Sequence, residues 1–156
     1  RFLPSQPKAY PVDHLITSGC LMPCRVWQEV GPMNDGLFID WVDIEWCARA
    51  RLKGYVLLLD GGTQMSHSIG EVSRPILWRR FHLHTPIRHF YLLRNAILIA
   101  KKPQFELGWR VHLLLYALRV IVASLVLGDQ RLSRWRFAYQ GLLAGVGGHQ
   151  GLIGKK

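Results

Sequence analysis

The sequence predicts an α/β fold that is followed by a basic helical region. Residues 40–51 repeat apolar side chains at helical spacing, and residues 55–59 form the continuous apolar run of a buried strand. A short strand is also predicted at 37–39, so that strand, helix and strand follow one another as in α/β proteins. The order of these elements assigns residues 1–85 to the α/β part and residues 86–156 to the helical part.

Further helices and strands are predicted in both parts of the chain. In the α/β part, residues 26–30 are a candidate helical turn, and residues 63–67 are a candidate short strand. Three helices are predicted in the second part, because Pro86 can open the first of them and apolar residues recur at helical spacing in the other two. They cover residues 86–100, 109–127 and 132–144.

Length and composition are those of one folded domain that carries an interface. With 156 residues, of which 49% are hydrophobic, the chain can bury a sizeable core, which excludes intrinsic disorder as its main state. Only 19% of the residues are charged, and six Trp, five Tyr and six Phe must be buried or must contact a partner. We therefore expect more than a monomer whose whole surface faces water.

Basic residues are concentrated in the second half of the chain. Residues 1–71 hold six basic and eight acidic residues, a net charge of −2. Residues 72–156 hold fourteen basic residues and only Glu106 and Asp129 as acids, a net charge of +12. A surface of this charge attracts an anionic partner, and the two candidates are a membrane surface and nucleic acid.

Cysteine use favours a reducing compartment. The chain has three cysteines, Cys20, Cys24 and Cys47. A small and odd number of cysteines does not suit a disulfide framework. Their spacing is not that of paired zinc ligands, so buried free thiols are expected. The chain begins at Arg1 without a signal-peptide pattern, and we expect that it starts inside a longer polypeptide.

Three carboxylates cluster where the predicted strand meets the predicted helix. On structural grounds Asp40 would cap the helix, Asp43 would interact with the helix dipole in its first turn, and Glu45 would pair with Arg49 four residues later. Carboxylates this close repel one another and need a solvated cap or a compensating charge. From the residues alone, this structural interpretation stands beside a catalytic one.

Several motifs follow one another along most of the chain. They are Thr17-Ser18-Gly19, Val30-Gly31, residues 37–49, Lys53-Gly54-Tyr55, residues 65–70, residues 86–88 with 90–95, and Gly141-Leu142 with Gly145. In order and spacing they resemble the inverting family 2 glycosyltransferases of the GT-A (Rossmann-like) fold, and among these the bacterial rhamnosyltransferases. The resemblance implies that the chain corresponds to the C-terminal part of such an enzyme.

The resemblance also implies a catalytic base. In the family, the second acid of an acidic pair that precedes an Arg by six residues takes the proton of the acceptor hydroxyl. By position that acid is Asp43, preceded here by Val42 where many relatives have Glu, and the rhamnosyltransferase branch is similar to this chain in using Val-Asp. The chemistry fits, because a carboxylate at a helix N-terminus stays ionised at neutral pH.

Other residues of the same motifs are implied to bind substrate. Ser18 and Gly19 would lie in a loop that lines the sugar pocket, where Gly permits close approach of the backbone, although an ordinary turn is an equal alternative. Around the base, Asp40, Trp41, Glu45 and Arg49 would contact substrate. Aromatic faces stack on sugar rings, and Trp41 is favoured for this over Trp46, which is as well explained as a core residue.

A divalent cation, Mg²⁺ or Mn²⁺, is implied as cofactor. In the family, a His that follows the strand after the helix can bind the metal that carries the donor diphosphate, and His67 matches this place. The Asp-x-Asp motif that completes such a site does not occur in residues 1–156. The nucleotide-binding half is therefore expected upstream of Arg1, and the chain alone is expected to be inactive.

The second half suggests attachment to a membrane. Residues 111–127 are mostly apolar but short for a span, and Arg119 near their centre would cost about 2.5–3.5 kcal/mol in a bilayer. We expect this helix to lie in the membrane interface or against neighbouring helices. A nucleic-acid-binding module is the rival class, but no motif of that class is present.

The resemblance, together with the basic charge and the apolar helix of the second half, predicts a peripheral enzyme on the cytoplasmic face of the bacterial plasma membrane. Its donor would be dTDP-L-rhamnose, and its acceptor a saccharide or lipid-linked glycan of a surface polysaccharide. A galactofuranosyl or other hexosyl transferase of the same family is the alternative. Nucleic acid is not expected as a partner.

Overall fold

The computed structural model describes residues 9–66, 73–76, 79–82, 84–127 and 129–154. It divides the chain into two compact units. The first unit comprises Arg1–Asn34 and Val42–Ile69, and the second comprises Asp35–Trp41 and Gly70–Lys156. The expected division at residue 85 into an α/β part and a helical part stays a prediction.

The described residues are mostly helical. The helices are α1 (Cys24–Val30), α2 (Val42–Leu52), α3 (Pro86–Ala100), α4 (Leu107–Leu127) and α5 (Arg131–Gly147), and a 3₁₀ turn covers Asp35–Leu37. The strands are β1 (Ala9–Val12), β2 (Leu57–Asp60), β3 (Ser73–Ile76) and β4 (Arg79–His82). They form two separate two-stranded antiparallel sheets, β1 with β2 and β3 with β4. A parallel sheet of the Rossmann-like kind is not among the residues that the structure describes.

The helices match the predictions better than the strands do. The predicted helix 86–100 is confirmed at both ends, and the helical turn at 26–30 is confirmed as α1. The strand predicted at 37–39 is wrong, because this segment is a 3₁₀ turn followed by Phe38 with a left-handed φ of 62°. Residues 63–66 have no regular structure, and the remainder of the strand expected at 63–67 lies outside the described residues.

A small apolar core holds the first unit together. Its fully buried members are Val30, Trp46, Cys47 and Ala50, and partly buried side chains pack against them: Leu15, Met22, Val26, Met33, Tyr55 and Leu57. The indole N–H of Trp46 donates to the Gly31 carbonyl at 2.8 Å, so the ring is anchored at its polar edge as well. Helix α2 is thus packed through its buried face against the end of α1.

Helix α3 is the centre of the second unit and is buried on most of its surface. Its buried residues include His89, Phe90, Tyr91, Leu92, Arg94, Asn95, Ala96 and Ile99. Helix α5 approaches it closely through two glycines. A Cβ added at Gly141 would lie 2.4 Å from the Phe90 carbonyl oxygen, and one at Gly145 would lie 2.9 Å from Ile97 Cβ. The absence of side chains at these two positions therefore sets the distance between the helices.

This packing makes a stability prediction. Gly141→Ala should destabilise the protein by roughly 1–3 kcal/mol, because the added methyl meets backbone that cannot rotate away. Gly108→Ala is the matched control, since no atom lies within 4 Å of its added Cβ and it too is in a helix. Urea unfolding of both variants would measure the difference. Equal free energies of unfolding would show that α3 and α5 are not in close contact.

Helix α4 has one packed face and one exposed apolar face. Leu113, Ala117 and Ile121, each one helical turn apart, are buried. Leu118 and Val122 are 55% and 50% exposed, and other apolar side chains accompany them on the surface: Val111, Leu115, Tyr116 and Val126. Among the described residues, none of the helices combines the length and the apolar character that crossing a bilayer requires.

His89 makes the stability of the second unit depend on pH. It is 1% exposed, and within the described part of the chain its Nε2 atom has no hydrogen-bond partner. Burial lowers the pKa of His89, and burial likewise lowers the pKa of His84. Both side chains are therefore neutral in the folded protein at a pH where they are protonated in the unfolded chain.

The sign of the effect follows from proton uptake on unfolding. The stability that His89 and His84 contribute is fully present above the ordinary histidine pKa of about 6.5. It is lost as pH falls below that value, because the unfolded state then binds more protons than the folded state. His89→Gln should flatten this loss between pH 6.5 and 5 in urea unfolding, whereas the same change at the exposed His112 should not. Identical pH slopes for His89→Gln and the parent would contradict the assignment.

Candidate active site

Asp43 lies in the first turn of α2, as the sequence predicts, and is half-buried. Its Oδ1 accepts a hydrogen bond from the Ile44 backbone N–H at 2.9 Å. In the part of the chain that the structure describes, no donor reaches the other oxygen, Oδ2. One carboxylate oxygen is thus held while the other is available to accept a proton.

Asp43 is one of the residues that line a cavity of about 260 Å³ in the first unit. The lining is mostly apolar, and among its members are Leu15, Met22, Val26, Met33, Trp46 and Leu57, with Thr17 and Cys20 as polar additions. A single carboxylate at the edge of an apolar cavity is a common arrangement in binding sites, where a few polar groups orient a ligand. The cavity is therefore the best candidate for the place where Asp43 meets a reacting group.

Ser18 and Gly19 are in a tight turn, and both are exposed. The turn is closed by the Cys20 N–H, which donates to the Thr17 carbonyl at 3.1 Å. Gly19 has φ 74°, a conformation that favours glycine, and a Cβ there would lie 3.0 Å from Met65 Cε. The segment is thus a turn that also lines a cleft, and its contact with a sugar stays a prediction.

That cleft has a volume of about 610 Å³. It shares Leu15, Cys20 and Leu21 with the cavity beside Asp43, so one segment of the first unit borders both spaces. Asp60 also lines the cleft, and hydrogen bonds from the Thr63 hydroxyl and the Gly62 N–H lower the pKa of this carboxyl. The cleft therefore carries a carboxylate and a glycine turn beside apolar walls.

Glu45 and Arg49 form the predicted pair, with Arg49 Nε 2.9 Å from Glu45 Oε2. Arg49 also donates to the carbonyls of Val30 and Pro32, both at 2.8 Å, while Glu45 is only 1% exposed. The pair joins α2 to the segment that follows α1. In this structure both side chains are engaged with protein atoms, and their predicted contact with substrate stays untested.

Asp40 and Trp41 belong to the second unit, in the turn 36–41 that precedes α2. Asp40 was expected to cap the helix, and this is wrong: α2 begins two residues later, and the Asp40 carboxylate is instead bound by the Arg88 guanidinium of α3. The second contact of this pair, Arg88 Nε to Asp40 Oδ2, measures 3.3 Å.

Trp41 is buried rather than open to a ligand. It is 8% exposed, its indole N–H donates to the Leu92 carbonyl at 3.0 Å, and its ring meets Tyr116 edge-on at 5.3 Å between centroids. Trp46, the alternative aromatic residue, is also buried at 3% exposure. The ring of Trp41 is therefore packed inside the second unit, and its contact with substrate stays a prediction.

The described residues do not by themselves form a metal site. No group of three or more His, Cys, Asp or Glu side chains among them could hold an ion. His67, the predicted ligand, lies outside the described residues. The three cysteines are free thiols, as expected, and burial raises the pKa of the Cys47 thiol. Cys47 is buried and fits a role in packing, whereas Cys24 is exposed, which corrects the expectation that all three thiols are buried.

Sequence analysis missed the importance of the polar residues of α3. Arg88, Arg94 and Asn95 bind the turn 36–41 through side-chain hydrogen bonds. The signal was present, because Arg94 and Asn95 are adjacent polar residues inside an apolar helical stretch and belong to one of the segments that carry the resemblance. Their targets could not be read from the sequence, because they lie more than fifty residues upstream.

A comparison with curated proteins finds a relative that is named as a sugar transferase. The chain is 31% identical over 139 residues to the dTDP-rhamnosyl transferase RfbF of Shigella flexneri, and the match covers 89% of this chain. It covers 46% of the relative, so the chain spans about half the length of that protein. No protein-family model matches the chain, and no solved structure matches it. The resemblance that the motifs indicate is confirmed by this relative: over most of its length, the chain is similar to part of a bacterial rhamnosyltransferase.

Proposed function

We propose that the chain is the acceptor-side part of an inverting glycosyltransferase that transfers L-rhamnose from dTDP-L-rhamnose. The observation that carries the proposal is Asp43, which is half-buried, has one oxygen without a donor in the described chain, and borders a cavity. The similarity to a dTDP-rhamnosyl transferase supports the donor. The GT-A fold and membership of family 2 are part of the proposal and rest on the motif resemblance.

Asp43 acts as general base in the proposed reaction. Its carboxylate accepts the proton of the acceptor hydroxyl as that oxygen attacks the anomeric carbon of the donor sugar. The new bond forms on the face opposite the bond that breaks, and the nucleoside diphosphate leaves with the electron pair of the broken bond. One carboxylate in one step is sufficient, and the configuration at the anomeric carbon is inverted.

The acceptor is proposed to enter the cavity beside Asp43. The apolar lining suits the carbon-bound face of a sugar ring, while Asp43 and Thr17 provide polar atoms at its edge. The turn of Ser18 and Gly19 lines the adjoining cleft and is proposed to contact the same substrates. A saccharide or lipid-linked glycan is therefore the proposed acceptor.

The donor nucleotide and a divalent cation are proposed to depend on residues outside the described part of the chain. His67 is the residue of this sequence that matches the family's metal ligand, and Mg²⁺ or Mn²⁺ would neutralise the leaving diphosphate. Since the described residues form no three-ligand group, the proposal for a metal rests on the family resemblance.

A panel of donors tests the sugar specificity. We expect the full-length enzyme that contains this chain to consume dTDP-L-rhamnose in the presence of acceptor, and to leave UDP-galactofuranose unused. Consumption of UDP-galactofuranose would favour the galactofuranosyl alternative. Binding of oligonucleotides in place of any sugar transfer would support the nucleic-acid-binding module, which the similarity to a transferase does not favour.

The exposed face of α4 supports attachment to an anionic membrane surface. Leu118 and Val122 are each at least half exposed, and exposed basic side chains such as Arg119 and Arg131 lie on or beside the same helix. Apolar burial and attraction to headgroups reinforce one another, with each basic residue near the surface worth about 1 kcal/mol. The proposed location is the inner face of the bacterial plasma membrane, with the helix lying on the surface.

Binding to lipid vesicles tests the proposed attachment to a membrane. The protein should float with phosphatidylglycerol vesicles, and high salt or carbonate should release it. Leu118→Glu combined with Val122→Glu should weaken binding several-fold, because both charges would enter the apolar face. Leu21→Glu is the control, since Leu21 is 95% exposed in the first unit and should not matter. If salt and carbonate failed and only detergent released the protein from the vesicles, surface attachment would be contradicted.

A further inference from the structure

The cavity that Asp43 lines is small and is built from one unit of the fold. Its volume is about 260 Å³, below the roughly 300–1,000 Å³ of pockets for drug-sized ligands. Its walls come from the segment before α1, from α1 and α2 themselves, and from residues at the start of β2, all within the first unit. A space of this size suits a single sugar residue of the acceptor.

Three polar side chains of the lining are already engaged with protein atoms. The Trp46 indole N–H donates to a backbone carbonyl at 2.8 Å. The Cys47 thiol accepts a hydrogen bond from the Leu15 N–H at 3.4 Å and donates to the Leu15 carbonyl at 3.6 Å. The Tyr55 hydroxyl donates to the Glu29 carboxylate. A ligand could use these three side chains only by breaking hydrogen bonds of the fold.

Three other polar side chains of the lining remain for a ligand among the residues that the structure describes: Asp43, Thr17 and Cys20. Asp43 Oδ1 accepts the Ile44 N–H, and Oδ2 receives the proton of the attacking hydroxyl in the proposed reaction. Thr17 is exposed, and the Cys20 thiol is a weak hydrogen-bond donor. Because the other walls are apolar, the side chains of the lining can satisfy the attacking hydroxyl and few further polar groups.

This shortage of polar partners selects among sugars. Burying a hydroxyl without a hydrogen-bond partner is unfavourable, whereas burying a methyl group is favourable. A hexose carries a hydroxymethyl group where a 6-deoxyhexose carries a methyl group, and an N-acetyl group would add an amide N–H and a carbonyl that both need partners. Since Asp43 lines the same cavity, the group that fills it belongs to the attacking sugar and not to a distant part of the acceptor.

We propose that the attacking sugar of the acceptor is a 6-deoxyhexose whose methyl group is bound in this cavity. The inference rests on the proposed function, in which Asp43 takes the proton of the acceptor hydroxyl. Val26 of α1 is a half-buried residue of the lining and is assigned as a specificity-determining residue, because its side chain offers no hydrogen bond. A hexose would bring its hydroxymethyl oxygen against Val26 and the other apolar walls.

Matched acceptors test the assignment with the full-length enzyme that contains this chain. Methyl glycosides of L-rhamnose and L-mannose differ only by the hydroxyl at C6, and so do those of L-fucose and L-galactose. At a fixed concentration of dTDP-L-rhamnose, the 6-deoxy member of at least one pair should have a kcat/KM about 10²-fold higher, the factor by which an apolar pocket rejects an added hydroxyl. A methyl glycoside of N-acetylglucosamine should be a poorer acceptor than this 6-deoxyhexoside.

Val26→Thr adds a hydroxyl to the lining with little change of shape. It should reduce the preference for the 6-deoxyhexoside several-fold, because the hydroxymethyl group of the hexoside gains a hydrogen-bond partner. Val12→Thr is the matched control, since Val12 is also half-buried in the first unit but does not line this cavity, and its ratio should equal that of the parent. An unchanged ratio in folded Val26→Thr would overturn the placement of the methyl group beside Val26.

The outcomes separate this inference from the proposed function. An enzyme that consumes no dTDP-L-rhamnose with any acceptor would overturn the proposed function. An enzyme that transfers L-rhamnose, but uses the hexosides or the N-acetylglucosaminide as well as the 6-deoxyhexosides, would overturn this inference alone. Transfer to acceptors that include neither of the 6-deoxyhexosides would do the same.

Discussion

Asp43→Asn in the full-length enzyme should abolish most sugar transfer and leave donor binding nearly unchanged. The amide has the shape of the carboxylate but cannot accept the proton of the acceptor hydroxyl, and loss of a general base lowers a rate by about 10²–10⁴. The Ile44 N–H that binds Oδ1 can still donate to the amide oxygen, so the first turn of α2 should be preserved. Transfer kinetics and calorimetry of the nucleotide would measure the two quantities.

Asp13→Asn is the matched control for this experiment. Asp13 also lies in the first unit, but its side chain is 76% exposed and pairs with the surface residue Arg51. The Asp13→Asn enzyme should transfer sugar at the parent rate. Wild-type turnover in Asp43→Asn would remove Asp43 from the mechanism, whatever the result at Asp13.

Arg94→Met should destabilise the second unit by about 3 kcal/mol. Hydrogen bonds from a charged group contribute about 1.5–3 kcal/mol each, and Met retains the length of the side chain but none of its donors. The guanidinium binds the Gly151 carbonyl and the Leu37 carbonyl, and so joins the end of the chain to the turn before α2. The loss therefore affects two segments at once.

Urea unfolding would measure this difference, with Arg119→Met as control. Arg119 is exposed on α4, and removal of its charge should change the free energy of unfolding by no more than about 0.5 kcal/mol. If Arg94→Met unfolds with the same free energy as the control, the buried network around α3 does not stabilise the fold.

Local sequence signals were sufficient to predict where the helices lie. Helix α3 begins at Pro86 and ends at Ala100, as predicted, because proline fits the first turn and the pattern that follows is long and apolar. The ion pair of Glu45 and Arg49 was predictable for the same reason, since residues four apart on a helix face each other. These features depend only on neighbours in the chain.

The turn before α2 could not be predicted in this way. Leu37, Phe38 and Ile39 have the propensities of a strand, yet the backbone is bound by Asn95, which is 58 residues from Leu37 in the chain. The Asp40 carboxylate is likewise bound by Arg88, and Trp41 is packed against Leu92 and Tyr116, all of which lie on helices far along the chain. Tertiary hydrogen bonds here override local preference, and the sequence of the turn itself contains no signal for them.

The candidate site likewise has one part that the sequence predicts and one part that it does not. The position of Asp43 in the first turn of a helix follows from the spacing of apolar residues, and its proposed role follows from the family motif. The cavity beside it depends on side chains from distant segments, such as Leu15 and Leu57, and only the structure places them together.

The anomeric configuration of the product tests the central claim most directly. NMR of the glycoside formed by the full-length enzyme from dTDP-L-rhamnose would establish it. A single carboxylate that acts as base in one displacement predicts a product whose configuration is opposite to that of the donor. Retention of the donor configuration would contradict the assignment of Asp43 as the base of an inverting transfer.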